Sequence, residues 1–365
     1  MKIAIDCRVL GLSGIGVYLD GVLPYLLKSD NEFFLFGNDN SKYKISKYKI
    51  SNCKIEDCNV KIFSLKELFF FPSNIIKKIN ECDLYYSPFF NIPGGIKIPI
   101  YTTIHDVIFL DMPAITSRFG LIARRWFYRR SYKHSTKIFT VSIFSKERIE
   151  HHLAGASKTK VVVTYSAIQD CFIKHKVDNF VVNMQKGASG FILFVGNIKK
   201  HKGLQTLVES FRNLCAQGLQ QNLVIAGSKE NFRTRDKSFD ILCGASNESR
   251  IIFTGAIKNE QLLELYQKAD VLVQPSLYEG FCLPPLEALF CGTQALISDI
   301  DVLKEIYADF PVTFFKAASV EDLSEKLKVL LKDGKKNITL TNEQKQKYTF
   351  EKSANIILRH LLENL

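Results

Sequence analysis

The sequence predicts an α/β protein built from two doubly wound, parallel-sheet domains in succession. Short segments that are apolar throughout alternate with amphipathic helical segments along the chain, a pattern typical of parallel strands buried on both faces. The alternation stops in a polar stretch at about 170–189 and starts again at residue 191. A length of 365 residues also fits two domains better than one. We therefore expect one domain over residues 1–180 and a second over 181–347.

The predicted elements follow from this alternation. The first half has predicted strands at 2–6, 33–36, 60–63, 83–87, 99–104, 137–141 and 161–165, and predicted helices at 14–28, 65–79, 116–134 and 144–154. The second half has predicted strands at 191–196, 223–227, 251–255, 270–275, 294–298 and 312–315. The pattern in each half therefore predicts an open parallel sheet. In such a sheet, ligands bind at the carboxyl ends of the strands.

Composition narrows the class of protein. The 49 basic and 37 acidic residues give a net charge of +12, which indicates an acidic partner such as nucleic acid, an anionic membrane or a phosphorylated molecule. No apolar run approaches the roughly 18 residues of a membrane span, and Asp6 interrupts the opening apolar segment, so we expect no secretory signal. The nine cysteines are scattered without a C-x-x-C pair, which indicates reduced thiols in a cytoplasmic protein.

The segment 116–137 is basic, aromatic and free of acidic residues. One interpretation is a surface helix whose apolar side packs on the sheet. The other is a basic amphipathic helix on an anionic membrane. Nucleic acid is disfavoured, because no recognisable binding motif accompanies the charge. The candidates for the membrane-facing side are Arg124, Arg125, Trp126, Arg129 and Arg130.

The segment 269–298 is the most informative, and it reads as strand, loop, helix and strand. Pro284 and Pro285 suit a first helical turn, and the helix terminus before Leu286 is predicted to favour a phosphate. Glu279 in the loop and Glu287 in the helix would repel such a ligand unless each accepts hydrogen bonds from hydroxyl groups. A sugar on one side and a ribose on the other would satisfy both carboxylates.

The string YEGFCLPPLEAL at 278–289 resembles the Glu-x7-Glu signature of glycosyltransferase family 4, the retaining nucleotide-sugar transferases of GT-B fold. By this resemblance Glu279 contacts the donor sugar and acts in catalysis, whereas Glu287 contacts the nucleotide ribose. The resemblance also implies donor contacts from the intervening loop, namely Gly280, Phe281, Cys282 and Leu283. The family usually has glycine at the position of Cys282 and proline at that of Gln294.

A second segment, VGNIKKHKGL at 195–204, resembles the family's phosphate-binding loop. The resemblance implies that Lys202 binds the donor phosphates as a point charge, with His201 as the histidine variant of the preceding position. Asn197 stands where some members have an arginine, so one positive donor contact is missing or comes from elsewhere. Backbone near Gly255 is expected to meet the nucleotide base.

The first domain carries two further matches. The loop before residue 17 has glycines at 11, 14 and 16, but Leu19 replaces the third glycine of a dinucleotide fingerprint, so that motif fails. The loop instead resembles the family's SGIGRY element, with Gly16 near the donor phosphate and Val17 in place of the arginine. His105 and Asp106 resemble the family's HD pair, in which the histidine approaches the transferred sugar; Asp106 is a candidate substrate contact.

Together these resemblances imply two Rossmann-like domains facing a cleft, with a terminal helix at 348–365 that crosses back to the first domain. They imply a retaining transferase that needs no cofactor and no metal, with a nucleotide sugar as co-substrate. Asp299 and Asp301 are accordingly interpreted as loop residues, not as metal ligands.

Mannose from GDP-mannose is favoured over a UDP-sugar as the donor. The expected acceptor is a glycan or a polyprenyl-pyrophosphate-linked chain in surface polysaccharide synthesis, such as O-antigen or capsule. We expect a cytoplasmic protein, peripheral on the inner face of an anionic membrane, with no nucleic-acid partner. A GT-B sugar-nucleotide epimerase and a non-catalytic sugar-binding subunit remain alternatives, whereas the failed fingerprint disfavours a dinucleotide oxidoreductase.

Overall fold

A computed structural model describes residues 1–46, 48, 52–64, 66–154, 160–173, 190–227 and 250–363. The chain divides into two compact units, one formed by Met1–Ala167 with Tyr348–Leu365 and the other by Ile168–Lys347. The division therefore falls at residue 168 instead of the expected 181, and the polar stretch from 174 to 189 lies outside the described residues. None of the described helices is both long and apolar enough to cross a membrane.

The N-terminal unit contains a seven-stranded parallel sheet. Its strands are β1 (Lys2–Asp6), β2 (Glu32–Gly37), β3 (Cys53–Asp57), β4 (Leu84–Ser87), β5 (Ile100–Thr103), β6 (Ser135–Thr140) and β7 (Val161–Val163). They lie in the order β3-β2-β1-β4-β5-β6-β7. Every pairing is parallel. Ile3 of β1 lies opposite Phe33 of β2 and Leu84 of β4. The crossover between β1 and β4 marks the point where ligands bind in an open α/β sheet.

Helices cover both faces of this sheet. They are α1 (Ser13–Leu26), α2 (Asp39–Ser46), α3 (Lys66–Phe69), α4 (Ser73–Asn80), α5 (Ile108–Asp111), α6 (Arg118–His134) and α7 (Ile143–Leu153). The terminal helix, which we number below as α15 (Phe350–Leu362), packs on α1 in the same unit. Gly21 permits this contact, because a Cβ there would lie 2.3 Å from the Phe350 ring.

The C-terminal unit contains a six-stranded parallel sheet in the order β10-β9-β8-β11-β12-β13. Its strands are β8 (Phe191–Val195), β9 (Asn222–Ala226), β10 (Ile251–Gly255), β11 (Val271–Gln274), β12 (Ala295–Ser298) and β13 (Val312–Phe315). Its helices are α8 (Asp170–Ile173), α9 (Leu204–Ala216), α10 (Asn259–Lys268), α11 (Pro284–Phe290), α12 (Asp301–Tyr307), α13 (Val320–Lys332) and α14 (Asn342–Lys347). Since every residue of β8, β9, β11 and β12 is buried, the continuous apolar runs have their expected cause.

The predicted fold class, two doubly wound parallel sheets, is confirmed, but two local predictions are wrong. The predicted strand 60–63 is not a strand; the third strand is the more polar Cys53–Asp57 at the sheet edge. The Val60 carbonyl instead accepts a hydrogen bond of 3.0 Å from the Arg8 guanidinium. The predicted helix 65–79 is two helices, α3 and α4, because Pro72 cannot continue a helix interior.

Candidate active site

Two loops meet at the carboxyl edge of the second sheet. One follows β8 and ends in a 3-10 turn, Lys200–Lys202, while the other follows β11. The His201 carbonyl accepts hydrogen bonds from the amides of Leu277, at 2.7 Å, and Tyr278, at 3.3 Å. Gly203 allows the approach, because its φ is 64° and a Cβ would lie 1.8 Å from the Pro275 carbonyl oxygen. The backbone therefore fixes the phosphate-binding candidate against the glutamate-bearing loop.

Lys202 and Glu279 form an ion pair across these loops. Lys202 Nζ donates to both carboxylate oxygens of Glu279, at 2.7 and 2.8 Å. Ser276 Oγ donates to Glu279 Oε1 at 2.6 Å, and Gln274 Nε2 donates to the Ser276 hydroxyl at 2.9 Å. Glu279 is only 7% exposed and Lys202 has 20% of its side chain exposed. The lysine's charge is thus directed into the site rather than into solvent.

The protonation state of Glu279 follows from these contacts. Burial by itself would raise the pKa of this carboxyl. The charge and hydrogen bonds of Lys202, with the Ser276 hydroxyl, outweigh burial and hold the pKa of Glu279 below its ordinary value. Glu279 is therefore an ionised hydrogen-bond acceptor at neutral pH.

Glu287 lies in α11 and is also 7% exposed, but its environment is different. Tyr266 Oη of α10 donates to Glu287 Oε2 at 2.6 Å, and the described residues provide this carboxylate with no ion pair. Burial raises the pKa of Glu287 to about 7, although the tyrosine hydrogen bond lowers it in part. This carboxyl therefore titrates near neutrality.

Cys282 adopts a left-handed backbone conformation, with φ of 74°. Such a φ is free of steric cost only for glycine, the usual residue at this position in the family that the segment resembles. The Tyr307 hydroxyl of α12 donates to the Cys282 carbonyl and accepts from the Leu286 amide at 3.1 Å. Tyr307 thereby holds the loop in this conformation.

The same hydrogen bond corrects the prediction of an anion site at the start of α11. Pro284 and Pro285 have no N–H, and the Leu286 amide is already bonded to Tyr307. The next amide, that of Glu287, bonds to the Leu283 carbonyl at 3.0 Å within the helix. The first helical turn therefore contributes no unbonded N–H from these positions.

The remaining donor-site candidates lie on neighbouring strand ends. Burial, followed by the charges of Lys202 and Lys199, lowers the pKa of His201 to about 4, so its imidazole is neutral. Asn197 is half-buried and directly follows Gly196. A Cβ atom on Gly227 would lie 2.1 Å from the carbonyl oxygen of Gly196.

Gly255 ends β10 with φ of 71° and open space where a Cβ would be. Its carbonyl accepts from the Gly227 amide at 3.2 Å. The carboxyl ends of strands β8, β9 and β10 therefore place the predicted phosphate-binding and base-binding regions at one edge of the sheet.

In the N-terminal unit His105 follows β5, as expected. Its Nε2 lies 3.0 Å from the Pro88 carbonyl oxygen and therefore carries the proton, which leaves Nδ1 as an acceptor. Its ring packs edge-on against Tyr18, with centroids 5.0 Å apart. Burial lowers the pKa of His105 to about 4, against a smaller opposing effect of the hydrogen bond to Pro88. His105 is a fixed, neutral hydrogen-bonding group.

The other candidates of this unit have local structural roles. Asp106 Oδ1 accepts from the amide of Ile108, the first residue of α5, at 3.1 Å. Gly16 lies inside α1, with its amide bonded to the Leu12 carbonyl at 3.0 Å. A Cβ on Gly16 would lie 2.3 Å from the Val9 carbonyl oxygen, so glycine is required for packing there.

The candidate membrane-facing residues fall into two groups. Arg125, Trp126 and Arg129 are exposed. Arg124 instead bonds Thr116 Oγ1 at 2.8 Å and lies 4.0 Å from the Phe109 ring centroid. Arg130 donates to the Ile92 carbonyl at 2.7 Å. Arg124 and Arg130 therefore bond within the protein, and a membrane-facing role for them stays a prediction.

Sequence reasoning missed the residues that set these states. Tyr266 and Tyr307 carry no motif that marks them, and Ser276 directly precedes the glutamate-bearing string without an assigned role; each acts on a site residue through a tertiary or loop contact. It also missed a buried network at the end of β1, where Arg8 pairs with Asp6 and Glu67. A charged residue directly after an apolar strand was the available signal for that network.

Comparison with known proteins finds a family model that matches the second half of the chain. Residues 178–347 match the model of the family described as Glycosyl transferases group 1. O-antigen chain mannosyltransferase B of Escherichia coli is 25% identical over 229 residues, which cover 62% of this chain and 59% of that protein. A Campylobacter jejuni N,N'-diacetylbacillosaminyl-diphospho-undecaprenol alpha-1,3-N-acetylgalactosaminyltransferase is 28% identical over 189 residues. These residues cover 52% of this chain and 47% of that protein. The chain thus spans about half to three fifths of the length of these curated relatives.

Solved structures share the fold at lower identity. Anabaena HepE, crystallised in complex with UDP and glucose, has a TM-score of 0.71 at 15% identity, covering 100% of both chains. Sucrose-phosphate synthase of Thermosynechococcus elongatus has a TM-score of 0.70 at 16% identity, covering 99% of both. At such identities the likeness shows the fold alone. The chain therefore has the GT-B fold, and its residues 178–347 match the family model of Glycosyl transferases group 1.

Proposed function

We propose that this protein is a retaining glycosyltransferase that moves a hexose from a nucleotide sugar to a glycan or lipid-linked acceptor. The observation that carries the proposal is the buried Lys202–Glu279 ion pair, which lies with the buried Glu287 in the segment that matches the family model. A cation and two differently protonated carboxylates suit a ligand that combines a diphosphate with two sets of hydroxyl groups.

Lys202 supplies the positive charge for the diphosphate of the donor. In the ligand-free pair this charge is balanced by Glu279, so donor binding exchanges one anionic partner for another. Glu279 is then released to accept hydrogen bonds from the hydroxyls of the donor sugar. As the anomeric C–O bond breaks, negative charge grows on the leaving diphosphate, and a fixed ammonium group stabilises it.

Glu287 accepts hydrogen bonds from the donor ribose. A carboxylate binds two vicinal hydroxyls better than a carboxylic acid does, since the ionised form has more acceptor sites. Tyr266 holds one oxygen of Glu287 at 2.6 Å, and this orients the other oxygen.

His105 contributes from the first unit. With Nε2–H bonded to the Pro88 carbonyl, Nδ1 accepts a hydrogen bond from a hydroxyl of the transferred sugar. Configuration is retained by attack on the front face, where the leaving phosphate takes the proton of the acceptor hydroxyl. No described residue is assigned as a nucleophile.

We favour GDP-mannose as the donor. Several relatives are named mannosyltransferases, among them O-antigen chain mannosyltransferase B. A UDP-sugar is the second candidate, since solved structures of HepE hold UDP-glucose or UDP with glucose. A screen of nucleotide sugars by product release separates the two, and a lack of both binding and turnover with every donor contradicts the transferase.

The acceptor is proposed to be a glycan or a polyprenyl-pyrophosphate-linked chain of surface polysaccharide, handled on the cytoplasmic side of a membrane. The name of the Campylobacter jejuni relative describes a diphospho-undecaprenol acceptor. Product analysis distinguishes the alternatives: an epimerase releases an altered sugar without transfer, and a non-catalytic subunit binds sugar without turnover.

We also propose that transfer needs no metal ion. The described residues contain no group of three or more His, Cys, Asp or Glu side chains placed to hold one. Turnover is therefore expected to be equal with EDTA and with Mg²⁺ or Mn²⁺, and a loss of activity in EDTA that Mg²⁺ restores would contradict this.

A further inference from the structure

We propose that one side of the N-terminal unit docks on an anionic lipid surface. We call it the aromatic–basic face. Its apolar members are exposed side chains: Phe69 at the end of α3, Phe70 directly after that helix, and Phe119, Ile122 and Trp126 of α6. Its basic members are Arg125 and Arg129. The proposal concerns attachment and does not depend on which donor the protein uses.

The exposed side of α6 combines two kinds of side chain. Phe119 is 87% exposed, Ile122 66% and Trp126 50%. Their spacing of three and four residues places them on one side of the helix. Arg125 and Arg129 also lie three or four residues from these positions, so charged and apolar side chains interleave. The opposite side holds the buried Tyr128 and Ser131.

The charged side chains of α6 are all basic. No acidic residue occurs between Asp111 and Glu147. Arg125 and Arg129 have no ion pair with any described residue. A helix with aromatic side chains among unpaired arginines suits the lipid interface, where rings enter the acyl boundary and guanidinium groups remain with phosphates.

The pair Phe69 and Phe70 is exposed by 71% and 77%, yet its backbone is firmly held. Glu67, one turn earlier, is fully buried, lies 2.8 Å from Arg8 and accepts from Asn91 Nδ2 at 2.6 Å. A buried ionic network therefore anchors a short helix whose end projects two aromatic rings. Most of the surface of both side chains therefore lies outside the packed interior of the unit.

The two parts of the face are attached to the same connecting segment, 90–94. Gly94 donates its amide to the Glu67 carbonyl at 3.2 Å beside Phe69. Arg130, four residues after Trp126, donates to the Ile92 carbonyl at 2.7 Å. The α3 and α6 parts of the face therefore both bond to the segment 90–94 of the unit.

Flotation with lipid vesicles tests the proposal on the full-length protein. We expect binding to vesicles containing phosphatidylglycerol, loss of binding at high salt, and little binding to pure phosphatidylcholine. The charge variant R125Q/R129Q should lower the partition coefficient about 25-fold, since each basic residue near the surface contributes roughly fivefold. The apolar variant F69S/F70S should weaken binding even at low salt.

Matched controls separate this face from the overall charge of the protein. K332Q/K345Q removes two exposed lysines from the C-terminal unit and should bind vesicles as the wild type does. Val329→Ser, which removes an apolar side chain 55% exposed, should also have no effect. Nucleotide binding and the unfolding midpoint of each variant report whether it is folded.

Three results would overturn the proposal: no flotation of the wild type on anionic vesicles, equal flotation of folded R125Q/R129Q, or an equal loss in K332Q/K345Q. The last result would assign vesicle binding to net charge. Since nucleotide binding is measured separately, failure of membrane docking and failure of the transferase assignment give different outcomes.

Discussion

Glu279 and Glu287 are eight residues apart and share an exposed fraction of 7%, yet their carboxyl groups behave differently. Lys202 and Ser276 hold the pKa of Glu279 below its ordinary value despite burial. Glu287 has a neutral tyrosine as its partner, and burial raises its pKa to about 7. At equal burial, the charge of the partner decides which carboxylate stays ionised.

The largest expected effect comes from removing the positive charge of Lys202, the partner of Glu279. Lys202→Met should lower turnover by about 10²- to 10³-fold, because the leaving diphosphate loses its charge stabilisation. It should also lower the free energy of unfolding by about 2 kcal/mol, since Glu279 is left buried without a counter-charge and Lys202 is partly exposed. Steady-state kinetics and urea unfolding measure the two effects.

The double variant K202M/E279Q is the control for that experiment. It should recover most of the lost stability without recovering activity, because the buried charge is removed with its partner. Equal stability of wild type and Lys202→Met would show that the pair contributes nothing to the fold.

His105 provides a third buried titratable group, whose partner is a backbone carbonyl. His105→Ala should lower kcat by about 10²-fold and leave donor affinity within about twofold, as expected for a group that assists mainly in the transition state. Because its pKa is about 4, this residue should add no pH dependence to kcat above pH 5. A donor affinity that falls as much as kcat would assign His105 to ground-state binding instead.

Glu287 gives a smaller effect with a distinctive pH dependence. Glu287→Ala should weaken donor binding about tenfold with little change in kcat. In the wild type, donor affinity should rise between pH 6 and 8 as the carboxyl ionises, and Glu287→Gln should abolish this rise. Titration calorimetry at several pH values measures it; an unchanged affinity in Glu287→Ala would contradict the ribose contact.

The sign of the stability effect also differs between the two carboxyls. The pKa of Glu287 is raised on folding, so its contribution to stability is present below the ordinary pKa and is lost as the pH rises through about 7. The pKa of Glu279 is lowered, so its contribution is present above the ordinary pKa and is lost at acid pH. Tyr266→Phe should raise the pKa of Glu287 further, because it removes the hydrogen bond to the ionised form.

The smallest effect concerns the loop between the two glutamates. Cys282→Gly should raise the free energy of unfolding by up to about 1 kcal/mol, because glycine adopts a φ of 74° without steric strain. Thermal unfolding measures the change, with Cys291→Ala as a cysteine control. A clear loss of stability would show that packing of the thiol outweighs the strain.

Much of the fold was predictable because the buried strands are apolar on both faces. The six strands of the C-terminal sheet lie within one or two residues of their predicted bounds. The edge strand Cys53–Asp57 escaped prediction because one face is polar, and the more apolar segment at 60–63 contacts Arg8 instead of forming a strand. Local pattern predicts burial well, but it does not identify which segment occupies an edge.

The two-sheet architecture and the candidate donor-site residues can be predicted from the sequence alone, because they depend on local periodicity and on a contiguous motif. The chemical states of those residues depend on tertiary contacts. Lys202 is 77 residues from Glu279 and Tyr266 is 21 residues from Glu287, and these partners set the two pKa values. Electrostatic and hydrogen-bonding effects depend on distances in space, which spacing along the chain does not supply.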